Sequence, residues 1–469
     1  MSGGTSESSA TKEPSRFSKL ALIVAAGMSQ MLVMIDFSAT AIALPRMAED
    51  FKVSADSLQW VLTGYIISFS ITLAIAGSLG DRFGRKRLLL LGIILFAGVS
   101  AWVGLAGSAF TLIIARVALG VGGGIIFPLS VAVVAASWKR EELPKVMSLL
   151  TGVATIGMAL GPVVGGVFTE LIDWRWVFFI NLPIAAIAFF LIIFLANESR
   201  NPDADTGRID VVGILLLIIG ISGLSIGLAD LADHSMVTSV SIILASCVTL
   251  ILFGWHELRY RSPLIDIRLL GNRTFVGYLI GGSLSNGCWG VLVFATTLYL
   301  QEVQKEDAMS AGFQFLYLSI PVAIAGFLGP VLQRHTSTRS MLLLALAIQT
   351  AACSLLWMSD VSPWLAVGLL MVGFGCSWGW SMSQAGGIAT IPEANLGLAS
   401  GSMMTVLIMS RNVAMVVSAT MIKELGGPSA IDYGPGVAAS FLFALCLAAI
   451  GFVAAFLIVP RRHPVRTTS

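Results

Sequence analysis

The chain has 469 residues, of which 56% are hydrophobic and only 12% are charged, and its formal net charge is +2. Soluble globular proteins carry about 25% charged residues, so a mean hydropathy of +0.89 indicates a membrane protein. The small net charge gives no support to nucleic-acid binding, and no polar stretch is long enough for a soluble domain. The five cysteines are scattered through apolar runs without metal-ligand spacing, which argues against a metal site.

Apolar runs long enough to span a bilayer recur along the whole chain, because a transmembrane helix needs about 20 mostly apolar residues. There are 14 of them, near 19–44, 58–79, 88–107, 109–131, 145–169, 177–196, 211–230, 237–255, 275–300, 311–332, 340–358, 363–388, 398–422 and 437–459. The sequence therefore predicts an all-α integral membrane protein with 14 spans.

The basic residues alternate in number between the two sides of these spans. If the chain begins inside, 21 of the 28 lysines and arginines fall on the inner side and 5 on the outer side, while Arg116 and Arg411 fall within spans. Cytoplasmic loops are rich in lysine and arginine. We therefore expect a multi-pass protein of the inner (cytoplasmic) membrane with both termini in the cytoplasm. The first run is too long for a signal peptide.

Two polar linkers, 197–210 and 257–273, enclose two plain spans and so divide the chain. Six spans, two inserted spans and six more spans are the layout of a two-lobed transporter with an insert between its repeats. The predicted segments are a disordered cytoplasmic leader at 1–18, an N-terminal six-helix lobe at 19–196, linkers with two inserted spans at 197–274, a C-terminal six-helix lobe at 275–459 and a cytoplasmic tail at 460–469.

Between the second and third runs lies a short charged turn, GSLGDRFGRKR at residues 77–87. One acid stands among four basic residues, where it can pair with them or with a neighbouring helix end, and three glycines permit tight turns and close helix approach. A charged clasp between two membrane helices indicates a protein that moves. The residues predicted to act as a conformational switch here are Gly77, Asp81, Arg82, Gly84, Arg85 and Lys86.

Two charges inside spans are candidates for proton coupling. Asp36 lies in the first span and Arg116 in the fourth. A carboxylate in lipid costs several kcal/mol and is functional by default, and burial favours its neutral, protonated form. An arginine stays charged, so Arg116 needs a partner, and Asp36 is the candidate if the two spans pack together. The alternatives are a carboxylate satisfied structurally by its neighbours and a permanent structural ion pair.

The fifth span is crowded with glycine around one proline. Small residues at four-residue spacing let helix backbones touch, and proline softens or kinks a helix. We expect this span to be a pivot between two states, although ordinary close packing explains part of the pattern. The residues concerned are Gly157, Gly161, Pro162, Gly165 and Gly166.

Aromatic and amide side chains within the spans suit a pocket for flat, amphiphilic molecules. The candidate substrate-binding residues are Gln59, Trp60, Tyr65, Asn286, Trp289, Trp378, Trp380, Gln384 and Arg411. For each tryptophan the alternative is a position facing lipid, and Arg411 could meet an anionic group or the carbonyls of a kink. The sequence contains no GxxxxGK[ST], HExxH or GxSxG motif, so ATP-driven transport and common hydrolase chemistry lack support.

These motifs, in this order, resemble the major facilitator superfamily over nearly the whole chain, and in particular its fourteen-span drug:proton antiporters. The resemblance rests on the first-span segment MIDFSATAIALP at 34–45, the turn at 77–87, the fourth-span segment at 116–124, the fifth-span "antiporter" segment at 157–166 and the segments at 174–183 and 263–270. It implies alternating access between two lobes around a site at mid-membrane, and efflux driven by proton entry. The turn at 77–87 would then help to hold the outward-facing state.

The second half departs from that pattern. Its counterpart of the charged turn, residues 329–335, lacks the aspartate and the later glycines, and the second lobe lacks deep acids. This lowers the expectation for dicationic substrates and favours neutral or monocationic ones.

The sequence thus predicts a monomeric, proton-coupled exporter of small amphiphilic drugs or secondary metabolites, with no cofactor and no metal, whose other partners are protons and membrane lipid. Two alternatives remain: an importer or metabolite carrier of the same fold, and a non-transporting membrane sensor or scaffold. No nucleophile–base set indicates an enzyme.

Overall fold

The structure is a computed structural model that describes residues 16–53, 58–138, 142–199, 210–230, 236–260, 263–264, 267–333, 336–358, 364–391, 396–425 and 434–460. Nearly all of these residues are helical. In the first half the helices are α1 (Arg16–Phe51), α2 (Gln59–Phe83), α3 (Arg85–Gly104), α4 (Ala109–Ala135), α5 (Leu143–Leu171), α6 (Trp176–Phe179) and α7 (Asn181–Leu195). They are followed by α8 (Val211–Asp230) and α9 (Met236–Glu257), which we call the inserted pair.

The second half begins with a short 3-10 turn, Ile267–Gly271, and a π-helical turn, Tyr299–Val303, follows its first long helix. Its helices are α10 (Arg273–Leu298), α11 (Ala308–Gln314), α12 (Leu316–Leu332), α13 (Thr338–Met358), α14 (Trp364–Ile388), α15 (Leu396–Leu425) and α16 (Gly434–Ile458).

The apolar runs form helices because a helix satisfies every backbone group within its own segment, which lipid cannot do. Helix starts carry side-chain caps where the sequence offers one. Ser108 accepts a hydrogen bond from the backbone of Thr111 at the start of α4. Asn272 accepts from two backbone N–H groups at the start of α10. These polar caps fix where spans begin.

Thirteen helical stretches in the described part of the chain are long and apolar enough to cross a membrane. The second predicted run coincides with α2, whose apolar stretch Trp60–Leu73 is shorter. The chain is therefore an all-helical, multi-pass membrane protein with about 13 to 14 candidate spans.

Helix contacts divide the long helices into two groups. In the first helix group (α1 to α7), α1 packs along α5, α2 along α4, and α3 against α4 and α7. In the second helix group (α10 to α16), α10 packs against α14, α15 and α16, and α13 packs against α14 and α16. The groups meet where α5 contacts α11 and α12, and where α2 contacts α15.

The inserted pair packs on itself and touches both groups through α8, which contacts α2 and α15. Ile67 and Ile71 of α2 form an apolar cluster with Leu217 and Ile221 of α8. On the other side, the Nδ2 atom of Asn412 donates to Ser225 over 3.4 Å. Helix α8 therefore covers the seam between α2 and α15, and leaves the opposite seam, between α5 and α12, uncovered by the pair.

Candidate functional site

A buried ion pair lies in the middle of the first helix group. The Nη1 atom of Arg116, on α4, is 2.5 Å from the Oδ2 atom of Asp36, on α1, and neither side chain has any exposed surface. The Nε atom of Arg116 donates to the carbonyl of Val61 over 3.1 Å. Burying two charges is tolerated only when they are paired and hydrogen-bonded. Asp36 is thus the partner that the sequence suggested for Arg116.

Asn181 and Tyr65 surround this pair. The Nδ2 atom of Asn181, at the start of α7, lies 3.5 Å from Oδ1 of Asp36 and donates to Ser100 over 2.9 Å. The guanidinium carbon of Arg116 lies 4.3 Å from the centre of the Tyr65 ring, at cation–π distance. A proton on Asp36 would remove the negative charge that attracts Arg116.

The pair can form because α4 approaches α2 very closely. A Cβ atom added at Gly124 would lie 2.6 Å from the carbonyl oxygen of Phe69 on α2, and one added at Gly120 would overlap the carbonyl oxygen of Tyr65. Only glycine permits this backbone contact. The fourth-span glycines therefore set the distance between Arg116 and its partners.

A central cavity lies between the two helix groups, with a volume of about 150 Å³. Its wall in the first group includes Gln30 and Met34 of α1, Phe127 of α4 and Thr155 of α5, and its wall in the second group comes from α10, α12, α14 and α15. Gln30 and Met34 precede Asp36 on α1, and Phe127 follows Arg116 on α4. The cavity thus lies on one side of the ion pair, toward the helix ends that the charge pattern predicts to be cytoplasmic.

The structure brings four of the nine candidate substrate residues to the wall of the central cavity: Asn286, Trp289, Trp380 and Arg411. The others lie elsewhere or are not described. Tyr65 covers Arg116. Trp60 packs against the apolar cluster of the inserted pair. The indole N–H of Trp378 donates to the carbonyl of Ala325 over 3.0 Å. Gln384 is not part of the wall, and the side chain of Gln59 lies outside the described residues.

The glycines of α5 are positions of close helix approach. A Cβ atom at Gly157 would lie 2.6 Å from Met31 of α1, and one at Gly165 would lie 2.6 Å from the carbonyl oxygen of Ala39; Gly161 faces Ser38 on the same helix.

Gly166 faces the other group, where its Cβ atom would lie 2.5 Å from the carbonyl oxygen of Ala308, at the start of α11. Pro162 lies inside the helix, and its carbonyl faces Gly312 of α11. The glycine–proline segment therefore joins α1 to α11.

The charged turn consists of the last residues of α2, a break at Gly84 and the start of α3. Gly84 has φ +106°, a conformation that favours glycine. Glu198, which follows α7, accepts hydrogen bonds from the backbone N–H groups of Lys86 and Arg87, and its Oε2 atom lies 3.7 Å from Nε of Arg87. The side chain of Asp81 lies outside the described residues. The described contacts of the turn thus fasten it within the first helix group.

Lys86 reaches the end of α7 by a second route. Its Nζ atom donates to the carbonyls of Ile193 and Ala196, over 2.8 and 2.7 Å. A cation at a helix C-terminus satisfies carbonyls that have no partner in the helix itself.

Gly77, another residue of the turn, is exposed, with nothing close to the position of its missing Cβ atom. The guanidinium carbon of Arg82 lies 5.4 Å from the centre of the Phe83 ring.

At the opposite end of the molecule, Asp50 lies near the C-terminus of α1. The indole N–H of Trp174 donates to Oδ2 of Asp50 over 3.2 Å, and Nη1 of Arg175 lies 3.0 Å from the same oxygen. The Trp174 hydrogen bond, followed by Arg175, lowers the pKa of the Asp50 carboxyl below its ordinary value. This cluster ties the ends of α1 and α6 together.

Sequence reasoning did not assign a role to three residues at these sites. Asn181 belongs to the segment 174–183 and has no predicted role, although an amide in an apolar helix is a signal for a buried hydrogen bond. Glu198 was treated as linker, and its contact with Lys86 spans 112 positions in sequence. Phe37, whose ring centre lies 4.7 Å from the guanidinium carbon of Arg411, carries no signal in the sequence. No group of metal-ligating side chains occurs among the described residues.

Many apolar helices in two groups, with a cavity between them and a buried ion pair beside it, define a membrane transporter rather than an enzyme. The sequence agrees, because residues 26–407 match the family model of the Major Facilitator Superfamily. The chain belongs to this superfamily.

Relatives and solved structures support that assignment. The chain is 30% identical over 451 residues to the lincomycin resistance protein of Streptomyces lincolnensis, covering 93% of this chain and 90% of the relative. It is 28% identical over 401 residues to multidrug resistance protein 3 of Bacillus subtilis (strain 168), covering 84% and 77%. A bacterial homolog of the human lysosomal transporter Spinster, solved in an inward-facing and occupied conformation, has the same fold, with a TM-score of 0.67 at 12% identity over 95% of this chain and 97% of that chain.

Proposed function

We propose that this protein is a proton-coupled exporter of small amphiphilic drugs or secondary metabolites. In this proposal two six-helix lobes, corresponding to the first and second helix groups, alternate in access around the central cavity in the inner membrane, and the monomer needs no cofactor beyond the proton gradient. The names of its relatives support a role in resistance and export. The observation that carries the proton coupling is the fully buried pair of Asp36 and Arg116 beside the cavity.

The direction in which the cavity opens fits this cycle. The two groups touch at the ends of helices that the charge pattern predicts to be outer. There, α5 packs on α11, and the amide of Gln301 donates to the carbonyl of Ile42 over 3.1 Å. We infer that this is the cytoplasm-facing state. Opening the outer side must separate α5 from α11 while the pair on α1 and α4 responds to a proton.

Asp36 is the residue that we propose takes up the proton. Arg116 and Asn181 stabilise its charged form, whereas complete burial favours its neutral form. When a proton enters, Arg116 loses its counter-ion and keeps the Val61 carbonyl and the rings of Tyr65 and Phe178. The resulting shift of α4 relative to α1 would reach α5, because α1 and α5 pack along their length. The conformational-switch roles of α5 and of the turn at 77–87, Asp81 included, belong to the same proposal.

Transport by purified protein in liposomes tests the proposal. Proteoliposomes with an acidic lumen would receive ethidium, 1-pyrenemethanol or 1-pyrenesulfonate outside, and uptake would be followed by fluorescence against protein-free liposomes. We expect uptake of at least one probe that collapses with the proton gradient and is abolished by Asp36→Asn. The matched control is Asp50→Asn, which makes the same change at the half-exposed end of the same helix.

Three results would contradict parts of the proposal. Equal uptake by Asp36→Asn and the unmodified protein would exclude Asp36 as the coupling residue. Gradient-dependent movement of a probe together with protons, rather than against them, would identify the importer or metabolite carrier instead. No gradient-dependent movement of any of the three probes would favour the sensor or scaffold.

A further inference from the structure

The wall of the central cavity contains a cation without a counter-ion. Arg411 lies on α15, in the middle of a span, and its side chain lines the cavity. Its Nε atom is buried and has no hydrogen-bond partner in the described part of the chain. Its guanidinium carbon lies 4.7 Å from the centre of the Phe37 ring on α1. No carboxylate among the described residues forms an ion pair with it.

Two other arginines in the protein show how a guanidinium is paired here. Arg116 has the Asp36 carboxylate and a backbone carbonyl, and its Nη2 atom is buried without a partner in the described residues. Arg339 donates to the carbonyls of Val459 and Phe456, over 2.7 and 2.9 Å. A charged group within a membrane is costly unless it is paired or serves a ligand or ion pathway. Arg411 has the Phe37 ring in their place, and it lines a cavity.

The rest of the cavity wall agrees with this charge. Among the described residues that line it, Arg411 is the only charged one, and none is aspartate or glutamate. The indole Nε1 atom of Trp289 is also buried without a hydrogen-bond partner in the described residues. Two amides are already engaged as donors, since Gln30 donates to Phe127 and Ser130, and Asn286 donates to Leu407. The fully buried polar atoms of the wall that lack a partner among the described residues, Arg411 Nε and Trp289 Nε1, are both donors.

We propose that the central cavity binds aromatic amphiphiles through an anionic oxygen group, such as a carboxylate or sulfonate, held by Arg411 and Trp289. Trp380 and Phe127 offer apolar surface for the ring system. A guanidinium donates charge-assisted hydrogen bonds in a fork that matches such oxygens. This inference rests on the proposed transport function and narrows its substrate class, because it replaces the neutral or monocationic ligand that the sequence favoured.

Asp36 does not supply a site for a cationic ligand. Its carboxylate is fully buried, Arg116 occupies one oxygen, and Asn181 approaches the other. It is not part of the cavity wall. A cationic ligand would therefore enter a cavity whose only described charge has its own sign, whereas an anionic ligand would supply the missing counter-ion.

Equilibrium binding without any gradient tests this inference. The probes are 1-pyrenesulfonate, 1-pyrenemethanol and trimethyl(1-pyrenylmethyl)ammonium, which share the pyrene ring system and differ in charge. Energy transfer from tryptophan to pyrene would be measured on the protein in nanodiscs of neutral lipid, with protein-free nanodiscs as background. We expect the sulfonate to bind about ten-fold or more tighter than the ammonium, with the alcohol between them.

Two substitutions at one position separate charge from shape. Arg411→Gln should remove the preference among the probes, whereas Arg411→Lys should keep the order with a smaller ratio because it keeps the charge but loses the fork. Equal or tighter binding of the ammonium by the unmodified protein would overturn the inference, and that comparison needs no variant. So would an unchanged preference in Arg411→Gln. Since no proton gradient is present, the result is independent of the liposome test of proton coupling.

Discussion

In the described residues, each helix group has an arginine in the middle of a span, Arg116 or Arg411, and the two are in opposite electrostatic situations. Arg116 in the first group is fully buried, has a carboxylate at 2.5 Å and lies under the ring of Tyr65. Arg411 in the second group lines the central cavity, and its Nε atom has no partner among the described residues. The first arginine has a carboxylate counter-ion, and the second has no counter-ion among the described residues. We infer that the first group takes up the proton and that the second group contacts the substrate.

The largest expected effect is a difference in stability between protein variants at the two arginines. Arg116→Gln leaves the Asp36 carboxylate buried without its counter-ion, and breaking a buried pair in this way costs about 3–5 kcal/mol. Arg411→Gln removes a charge that has no counter-ion in the described structure, so we expect a loss below about 1 kcal/mol, or a gain. The apparent unfolding temperature of both variants in nanodiscs, in the absence of ligand, measures the difference.

A double variant provides the control for this comparison. Asp36→Asn together with Arg116→Gln replaces the ion pair by two neutral amides, so it should recover part of the stability lost in Arg116→Gln. Transport driven by the proton gradient should stay absent. Equal losses of stability in Arg116→Gln and Arg411→Gln would show that Arg411 has a structural role, and the contrast between the two groups would fail.

A smaller effect concerns the ring that covers Arg116. Tyr65→Leu removes the cation–π contact at 4.3 Å, which is worth about 2 kcal/mol in a desolvated setting. Tyr65→Phe keeps the ring and removes a hydroxyl that has no hydrogen-bond partner in the described residues, so we expect a change below about 1 kcal/mol. Unfolding temperatures of the two variants check this. A large loss in Tyr65→Phe would mean that the hydroxyl, rather than the ring, stabilises the pair.

The sequence predicted features that follow from one strong physical constraint. Apolar runs must be helices in lipid, and the helices coincide closely with the predicted spans. An acid and an arginine in different spans must find partners, and the structure pairs Asp36 with Arg116. The glycine spacing of the fifth span indicated close helix contact, and Gly157 and Gly165 lie against the backbone of α1.

Features that depend on helix rotation and long-range packing were not predictable in the same way. Trp378 and Trp380 are two positions apart, so they point about 200° apart around α14. Trp380 lines the cavity, and Trp378 packs against α12. The sequence shows that both residues are aromatic, but it does not show which face of the helix points to the cavity. Similarly, nothing local to Glu198 indicates that it accepts from Lys86.

The smallest expected effect concerns an ion pair at the edge of the membrane. Asp50 is 44% exposed and meets Arg175 at 3.0 Å, and the Trp174 hydrogen bond, with Arg175, lowers its pKa. A lowered pKa in the folded state contributes stability above the ordinary aspartate pKa of about 4. That contribution is lost as the pH falls through the lower, folded value.

We therefore expect Asp50→Asn to cost less than about 1 kcal/mol at pH 7, because an exposed pair is well solvated. Its difference from the unmodified protein should shrink as the pH is lowered from 5 toward 3, about the range over which aspartate titrates. Unfolding temperatures of both proteins across this range measure it. A difference as large as that of Arg116→Gln would show that pairing at the membrane edge stabilises as much as pairing inside. A difference that grows in acid would contradict the lowered pKa of Asp50. The counter-ion matters for Arg116 and Arg411 because both lie inside the membrane, away from bulk water. A desolvated cation has a strong need for a counter-ion, whereas a partly exposed one such as Arg175 is solvated by water.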